Sequence, residues 1–353
     1  MRRLSTFIMN LKYAFRPNKP LLFPRLVWAV CRSFLPGPPA LRYVDFAIDF
    51  ACNLNCQHCF ASSLKQNGRR KMAVEDYKRV ARECMDLGVV NFSFQGGEPL
   101  MIPDLKAIIA ACKPQRNIIS VSTNGTLITA DRVRELKRWG VDILTISLDS
   151  SISEEHDLFR GKAGAYEKTL SGIKTALSNG LGVTLATVVT HQNLREEGIS
   201  GLLRLAAELK VILYIILPVP AGRWIDNDQM RLTQEDLNYI DSLTENSPYI
   251  RTDLQANLGG YGCGAAKEIL YMTPYGDVLT CPFLHISPGN IFDETVGVVR
   301  QRALRSSWFS EYHPECLAST DKEFIDNYLS KTFGQEQLPL DWDTVFPTEG
   351  DDR

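Results

Sequence analysis

Between Tyr43 and about Leu217, short apolar runs rich in β-branched and aromatic residues alternate with stretches whose apolar positions recur every three or four residues. The runs are Val44–Phe50, Val89–Phe94, Ile118–Thr123, Ile143–Leu148, Val183–Val189 and Val211–Leu217. The amphipathic stretches are Val74–Leu87, Leu105–Cys112, Ala130–Trp139, Tyr166–Ser178 and Gly198–Leu209. Near-continuous apolar runs read as strands buried on both faces, and the longer periodic stretches as helices that cover them. Six such repeats predict a parallel sheet with right-handed crossovers. Eight units close a full barrel. Six predict an α/β fold: an open, partial (βα)6 barrel over residues 41–223.

Residues 1–40 form a basic amphipathic segment before this barrel. Residues 224–260 read as a helical connector, with Thr233 opening a helix, and 261–320 as a small second domain with turns at Pro274–Asp277 and Pro288–Asn290. Residues 321–353 read as an acidic tail.

The unusual polar segments all fall at one end of the predicted strands. Cys52–Cys59 follows the first, Gly96-Gly97-Glu98-Pro99 the second, and Thr123-Asn124-Gly125 the third. Ser147-Leu148-Asp149 closes the fourth, Thr190-His191 follows the fifth, and Pro218 to Arg223 the sixth. Parallel α/β folds build their active sites at the C-terminal ends of strands. One active-site face is expected.

With 44% apolar and 23% charged residues over 353 positions, the chain has the composition of a globular protein and is long enough to bury a substantial core. The longest strongly apolar run, about Val211 to Val219, is too short to span a bilayer. A net charge of −2 conceals an asymmetry: residues 1–44 carry eight Lys or Arg and no acid, whereas 321–353 carries nine acids and three bases. A basic head on a near-neutral body points to a local partner for the head and argues against nucleic acid. Leu4, Phe7, Ile8, Leu11 and Phe15 form an apolar stripe flanked by Arg2, Arg3, Lys12 and Arg16, and the Arg-flanked aromatic pattern continues through Trp28. Residues 1–38 therefore read as an interfacial membrane helix or hairpin, with packing on the protein's own body as the alternative. No uninterrupted apolar core precedes a small-residue cleavage site, so a secretory signal is not expected. The expected location is the cytoplasm, peripheral on the inner face of the membrane if the head binds lipid.

Nine cysteines, an odd number, argue against a disulfide framework and for metal or cluster ligation in a reducing compartment. Cys84 and Cys112 fall in amphipathic stretches and read as small buried apolar residues. Cys52, Cys56 and Cys59 put three thiolates on one short loop. A zinc site normally takes four protein ligands, and no second CxxC or HxxxH pair lies nearby; zinc completed by His58 or by a distant ligand is the alternative. A [4Fe–4S] cluster can take three cysteines and leave one iron open.

The CxxxCxxC spacing, with Gly96-Gly97-Glu98-Pro99 in the expected strand order, resembles the radical S-adenosylmethionine (radical SAM) superfamily. The resemblance implies a [4Fe–4S] cluster on Cys52, Cys56 and Cys59 whose open iron is chelated by S-adenosylmethionine. It implies one-electron cleavage of the sulfonium and hydrogen abstraction by a 5′-deoxyadenosyl radical, with a flavodoxin- or ferredoxin-like reductase as electron donor. By the same resemblance, Gly96, Gly97 and Glu98 receive the methionine ammonium through backbone carbonyls and a carboxylate. His58, where the family usually has an aromatic residue, lies near adenine. Ser122, Asn124 and Ser147 contact ribose or carboxylate, and Arg160 pairs with the methionine carboxylate. Cys263, Cys281 and Cys316, with a hairpin turn at Gly276, resemble a shortened SPASM or twitch extension. That implies one auxiliary iron–sulfur cluster whose fourth ligand is His285, His313, an acid such as Asp321, or substrate; structural zinc is again the alternative. The substrate is expected to be a small molecule, a lipid-linked metabolite or a ribosomal peptide. A peptide maturase and a non-catalytic electron-transfer protein remain alternative functions.

Overall fold

The computed structural model describes residues 18–32, 35, 37–225, 227–255, 257 and 262–346. Strands β1 (Tyr43–Asp49), β2 (Asn91–Gly96), β3 (Ile118–Thr123), β4 (Ile143–Ser147), β5 (Gly182–Val188) and β6 (Ile212–Ile216) lie side by side and parallel. A short β7 (Ile250–Thr252), not anticipated from the pattern, extends the sheet beyond β6. On the other edge β8 (Ile269–Met272) pairs parallel with β1, followed outward by β9 (Asp277–Leu279). A separate two-stranded ladder joins β10 (Ile286–Ser287) to β12 (Leu340–Asp341), while β11 (Gly289–Asn290) completes the main sheet against β9. The two outermost strands of the sheet, β7 and β11, are not neighbours, so the barrel is open.

Helices 74–86, 105–111, 130–139, 165–178 and 197–209 cover the sheet, each close to its periodic stretch. Their inward positions, among them Val80, Leu136, Ile173 and Leu202, pack on Phe92, Val121, Leu144, Leu185 and Leu213 from the strands. Cys84 and Cys112 are fully buried in this core. Helix 153–160, whose buried residues are His156 and Arg160, escaped the pattern.

The acidic stretch after residue 320 is folded through Phe346. Phe324, Leu329, Trp342, Val345 and Phe346 form a second core with Val219, Leu284 and Phe309. Charge sets the outer face of a segment and says nothing about its inner one.

At the N-terminal ends of the strands, helix 22–32 caps the barrel. Leu22 packs on Val90 and Ile118. Lys19 pairs with Asp142 and donates to the carbonyls of Asn117 at 2.9 Å and Gly140 at 3.1 Å. The described part of the basic head therefore packs on the body, because its cations find carbonyls and a carboxylate there. The Leu4–Phe15 stripe lies outside the described residues. No helix among the described residues is long and apolar enough to cross a membrane.

Candidate active site

The loop after β1 carries Cys52, Cys56 and Cys59 and is held from three sides. From β2, Gly97 N donates to Asp49 O at 2.7 Å and Glu98 N to Ala51 O at 2.8 Å. A Cβ on Gly97 would sit 2.0 Å from Ala51 O, so only glycine permits this approach. From helix 153–160, the carbonyls of Arg160 and Phe159 accept Asn55 N and Gln57 N at 3.2 and 2.9 Å. From the loop after β6, Arg223 donates to Cys56 O at 2.7 Å and to the Asn55 side chain. Its neighbour Gly222, at φ +61, passes so close that a Cβ would lie 2.1 Å from Cys59 O.

A cavity of about 510 Å³ opens on this loop at the C-terminal ends of the strands. Cys52, Cys56, His58, Cys59, Gly96, Gly97, Ser122, Asn124, Ser147 and Arg160 all line it. Residues from four strand ends and two loops meet there although they span more than a hundred positions of sequence. Asn124 Nδ2 donates to Asn53 Oδ1 at 2.9 Å and so also braces the cysteine loop.

Glu98, expected to receive an ammonium group, sits behind the other site residues. It does not line the cavity. Its carboxyl is buried and accepts Leu100 N at 3.0 Å, Thr123 Oγ1 at 2.7 Å and Asn124 N at 2.8 Å, fastening the ends of β2 and β3. Burial pushes its pKa up, against the pull of the Asn124 amide and the Thr123 hydroxyl. Three protein donors take three of the carboxylate's roughly four acceptor sites.

Arg160 is buried with its Nε 2.5 Å from Asp149 Oδ2 and its Nη1 3.7 Å from Cys56 Sγ. Burial alone would raise the Asp149 carboxyl, but Arg160 holds it below its ordinary value. The His58 ring stacks on Phe159 at 4.3 Å and leans on Trp224 at 5.7 Å, acting as the aromatic residue it replaces. Burial lowers its pKa to about 3, so the ring is neutral. Asp149, Phe159, Arg223 and Trp224 were not assigned roles from the sequence. Asp149 and Arg223 stood in the strand-end segments that mark the site, so position was the available signal.

Cys263, Cys281 and Cys316 lie elsewhere, all against the second core. Among the described residues no three His, Cys, Asp or Glu side chains converge on a point that would hold a single metal ion.

Residues 50–205 match the Radical SAM superfamily. This stretch of the chain is a Radical SAM domain. Members of that superfamily are enzymes that use a [4Fe–4S] cluster and S-adenosylmethionine. The chain is 27% identical over 297 residues to the AdoMet-dependent heme synthase of Methanosarcina barkeri, covering 76% of this chain and 82% of that protein. It is 30% identical to the antilisterial bacteriocin subtilosin biosynthesis protein AlbA of Bacillus subtilis, over 73% of this chain and 59% of AlbA. The chain spans about half, 52%, of the heme synthase of Nitratidesulfovibrio vulgaris, to which it is 30% identical. Streptococcus suis SuiB bound to precursor peptide SuiA shares its fold with a TM-score of 0.62 at 18% identity, over 82% of this chain and 71% of SuiB. So does anSMEcpe with bound AdoMet, at 0.57 and 19%, over 76% and 82%.

Proposed function

We propose that Cys52, Cys56 and Cys59 hold the cluster and that the cavity beside them receives S-adenosylmethionine. The carrying observation is that one cavity gathers the three thiols with the glycine pair, two serine hydroxyls and a buried arginine. Ser122 and Ser147 line the cavity, where their hydroxyls can meet a ligand. Arg160, held by Asp149, presents a fixed cation beside Cys56, suited to a carboxylate. When bound, the cluster and S-adenosylmethionine supply a carbon radical that removes hydrogen from substrate. The chain's share is to position both, through the loop clamps described above, and to exclude water with the apolar wall of Ala186, Val188, Ile216, Leu217 and Val219. The electron comes from a flavodoxin- or ferredoxin-like reductase. Anaerobic protein with dithionite and S-adenosylmethionine should form 5′-deoxyadenosine, and Cys56→Ala should abolish it; undiminished turnover in the variant overturns the assignment.

For the substrate we favour a peptide. Lys65 at the cavity's mouth also lines a second cavity of about 830 Å³, bounded by residues 65–69, the turn at 287–290 and residues 336–343. Two cavities that share a lining residue suit an extended chain better than a compact ring. AlbA, among the relatives, is named for biosynthesis of a bacteriocin. Cys263, Cys281 and Cys316, all packed against the second core, are the ligands we assign to an auxiliary iron–sulfur cluster.

A further inference from the structure

Resting on the reading that Cys263, Cys281 and Cys316 hold an iron–sulfur cluster, we infer that His313 Nδ1 is its fourth protein ligand. The backbone brings His313 opposite Cys263 and three residues before Cys316. Cys263 and His313 face each other in an isolated antiparallel bridge, with Cys263 N donating to His313 O at 2.7 Å. Directly opposed residues of an antiparallel pair project from the same face, with Cβ atoms about 5 Å apart. Three residues further on is Cys316, whose carbonyl accepts the amides of Ser319, Thr320 and Asp321 at 3.0, 2.9 and 3.1 Å. That turn delivers Asp321 to the other side of the imidazole: Asp321 Oδ2 lies 3.3 Å from His313 Nε2. The carboxylate is itself fixed, because Asp321 Oδ1 caps helix 322–327 by accepting Phe324 N at 2.8 Å.

This is the outer-shell arrangement of a metal-bound histidine. Such a ring donates one N–H to a carboxylate, which fixes its orientation and tautomer and leaves the other nitrogen's lone pair for the metal. His313 Nδ1 is buried and has no hydrogen-bond partner. An orphaned buried nitrogen costs free energy unless something occupies it. The Trp308 ring, 5.4 Å from the imidazole, shields it. His285, the rival, also has a buried nitrogen without a partner, Nε2, but its other contacts are the Ser63 hydroxyl at 3.3 Å and the Pro282 backbone, with no carboxylate behind the ring among the described residues. His313 differs in facing Cys263 across a backbone bridge and in having Asp321 behind it. Asp321 acts from outside the ligand set rather than within it.

The test uses full-length protein in which Cys52, Cys56 and Cys59 are all replaced by Ala, so that only the second cluster remains. Iron is counted, and the dithionite-reduced cluster is examined by pulsed electron paramagnetic resonance for nitrogen hyperfine coupling. The expected result is about four irons, the content of a cubane cluster, and an imidazole coupling that His285→Gln leaves intact. His313→Cys, which keeps a ligand and hence the cluster, should remove that coupling and shift the potential to more negative values, as thiolate for imidazole does. Iron present without nitrogen coupling, or coupling that survives in His313→Cys, overturns the histidine while leaving the cluster. Absence of iron overturns the auxiliary cluster and this ligand with it.

Discussion

Each end of the parallel sheet buries an ion pair, and the two are built differently. At the N-terminal end Lys19 pairs with Asp142, and every direction is used: Lys19 also donates to two carbonyls, and Asp142 accepts Ile119 N at 2.8 Å. At the C-terminal end Arg160 and Asp149 pair beside a cavity, with His58 Nδ1 and His156 Nε2 close by, buried and without hydrogen-bond partners. A saturated pair has nothing left to offer and holds the structure together. An unsaturated one keeps capacity for a guest. The difference marks which end does chemistry without reference to any motif.

Breaking each pair should separate the two roles. Removing one member of a buried pair strands the other charge, which typically costs 3–5 kcal/mol. Lys19→Met and Asp149→Asn should both fall in that range by denaturant unfolding. Asp149→Asn should in addition weaken S-adenosylmethionine binding at least tenfold, because Arg160 loses its anchor, whereas Lys19→Met should leave affinity per folded molecule unchanged. Equal loss of affinity in both variants would erase the distinction.

The ends also differ toward acid. Burial lowers His156 and His285 to about 4, from an ordinary value of 6.5. Between those values the unfolded chain takes up protons that the folded one refuses, so stability falls as pH drops from about 6.5 to about 4. Each ring contributes up to about 3 kcal/mol over that window. Asn in place of His156 should flatten the slope measured by melting at pH 7 and pH 5; Lys19→Met should lower stability equally at both. A parallel pH slope in the His156 variant would show that the ring titrates normally.

The catalytic end was legible because strand-end position and local spacing coincide there. Three cysteines within eight residues, and a glycine pair one strand later, need no tertiary information to be recognised. Glu98 shows the limit: its motif was readable, but whether its oxygens face a ligand or three protein donors depends on how β2 and β3 meet. His313 and Asp321 join Cys263 only through a bridge across fifty residues, so the sequence could offer them only as two of several candidates. Helix 153–160 was missed because it is two turns long, too short for periodicity to show. At the opposite end, the pattern suggested a membrane-facing basic head, with packing on the protein's own body as the alternative. Lys19 and Arg25 instead turn inward, Arg25 donating to Val89 O at 2.6 Å and to the Asn117 side chain.

That inward turn leaves helix 22–32 with its amphipathicity reversed, and this carries the smallest of the expected effects. Phe23, Val27, Trp28 and Val30 face outward, each about two-fifths to one-half exposed, with Leu21 beside them. We propose that this face meets an anionic bilayer. Aromatic rings favour the interface, and Arg2, Arg3, Lys12 and Arg16 precede it in a stretch with no acid. Each such charge near an anionic surface adds about 1 kcal/mol. Docking by this end would point the cavity away from the lipid, so a bound enzyme would take its substrate from water, which agrees with a peptide and not with a lipid-linked metabolite. Protein should float with phosphatidylserine-containing vesicles at low salt and less at high salt. Replacing Phe23, Val27 and Trp28 by Glu should abolish flotation while 5′-deoxyadenosine formation continues. If the unaltered protein stays at the bottom of the gradient, protein covers this face instead: either residues 1–17, whose deletion would then restore flotation, or a second copy, which sedimentation would reveal as a dimer.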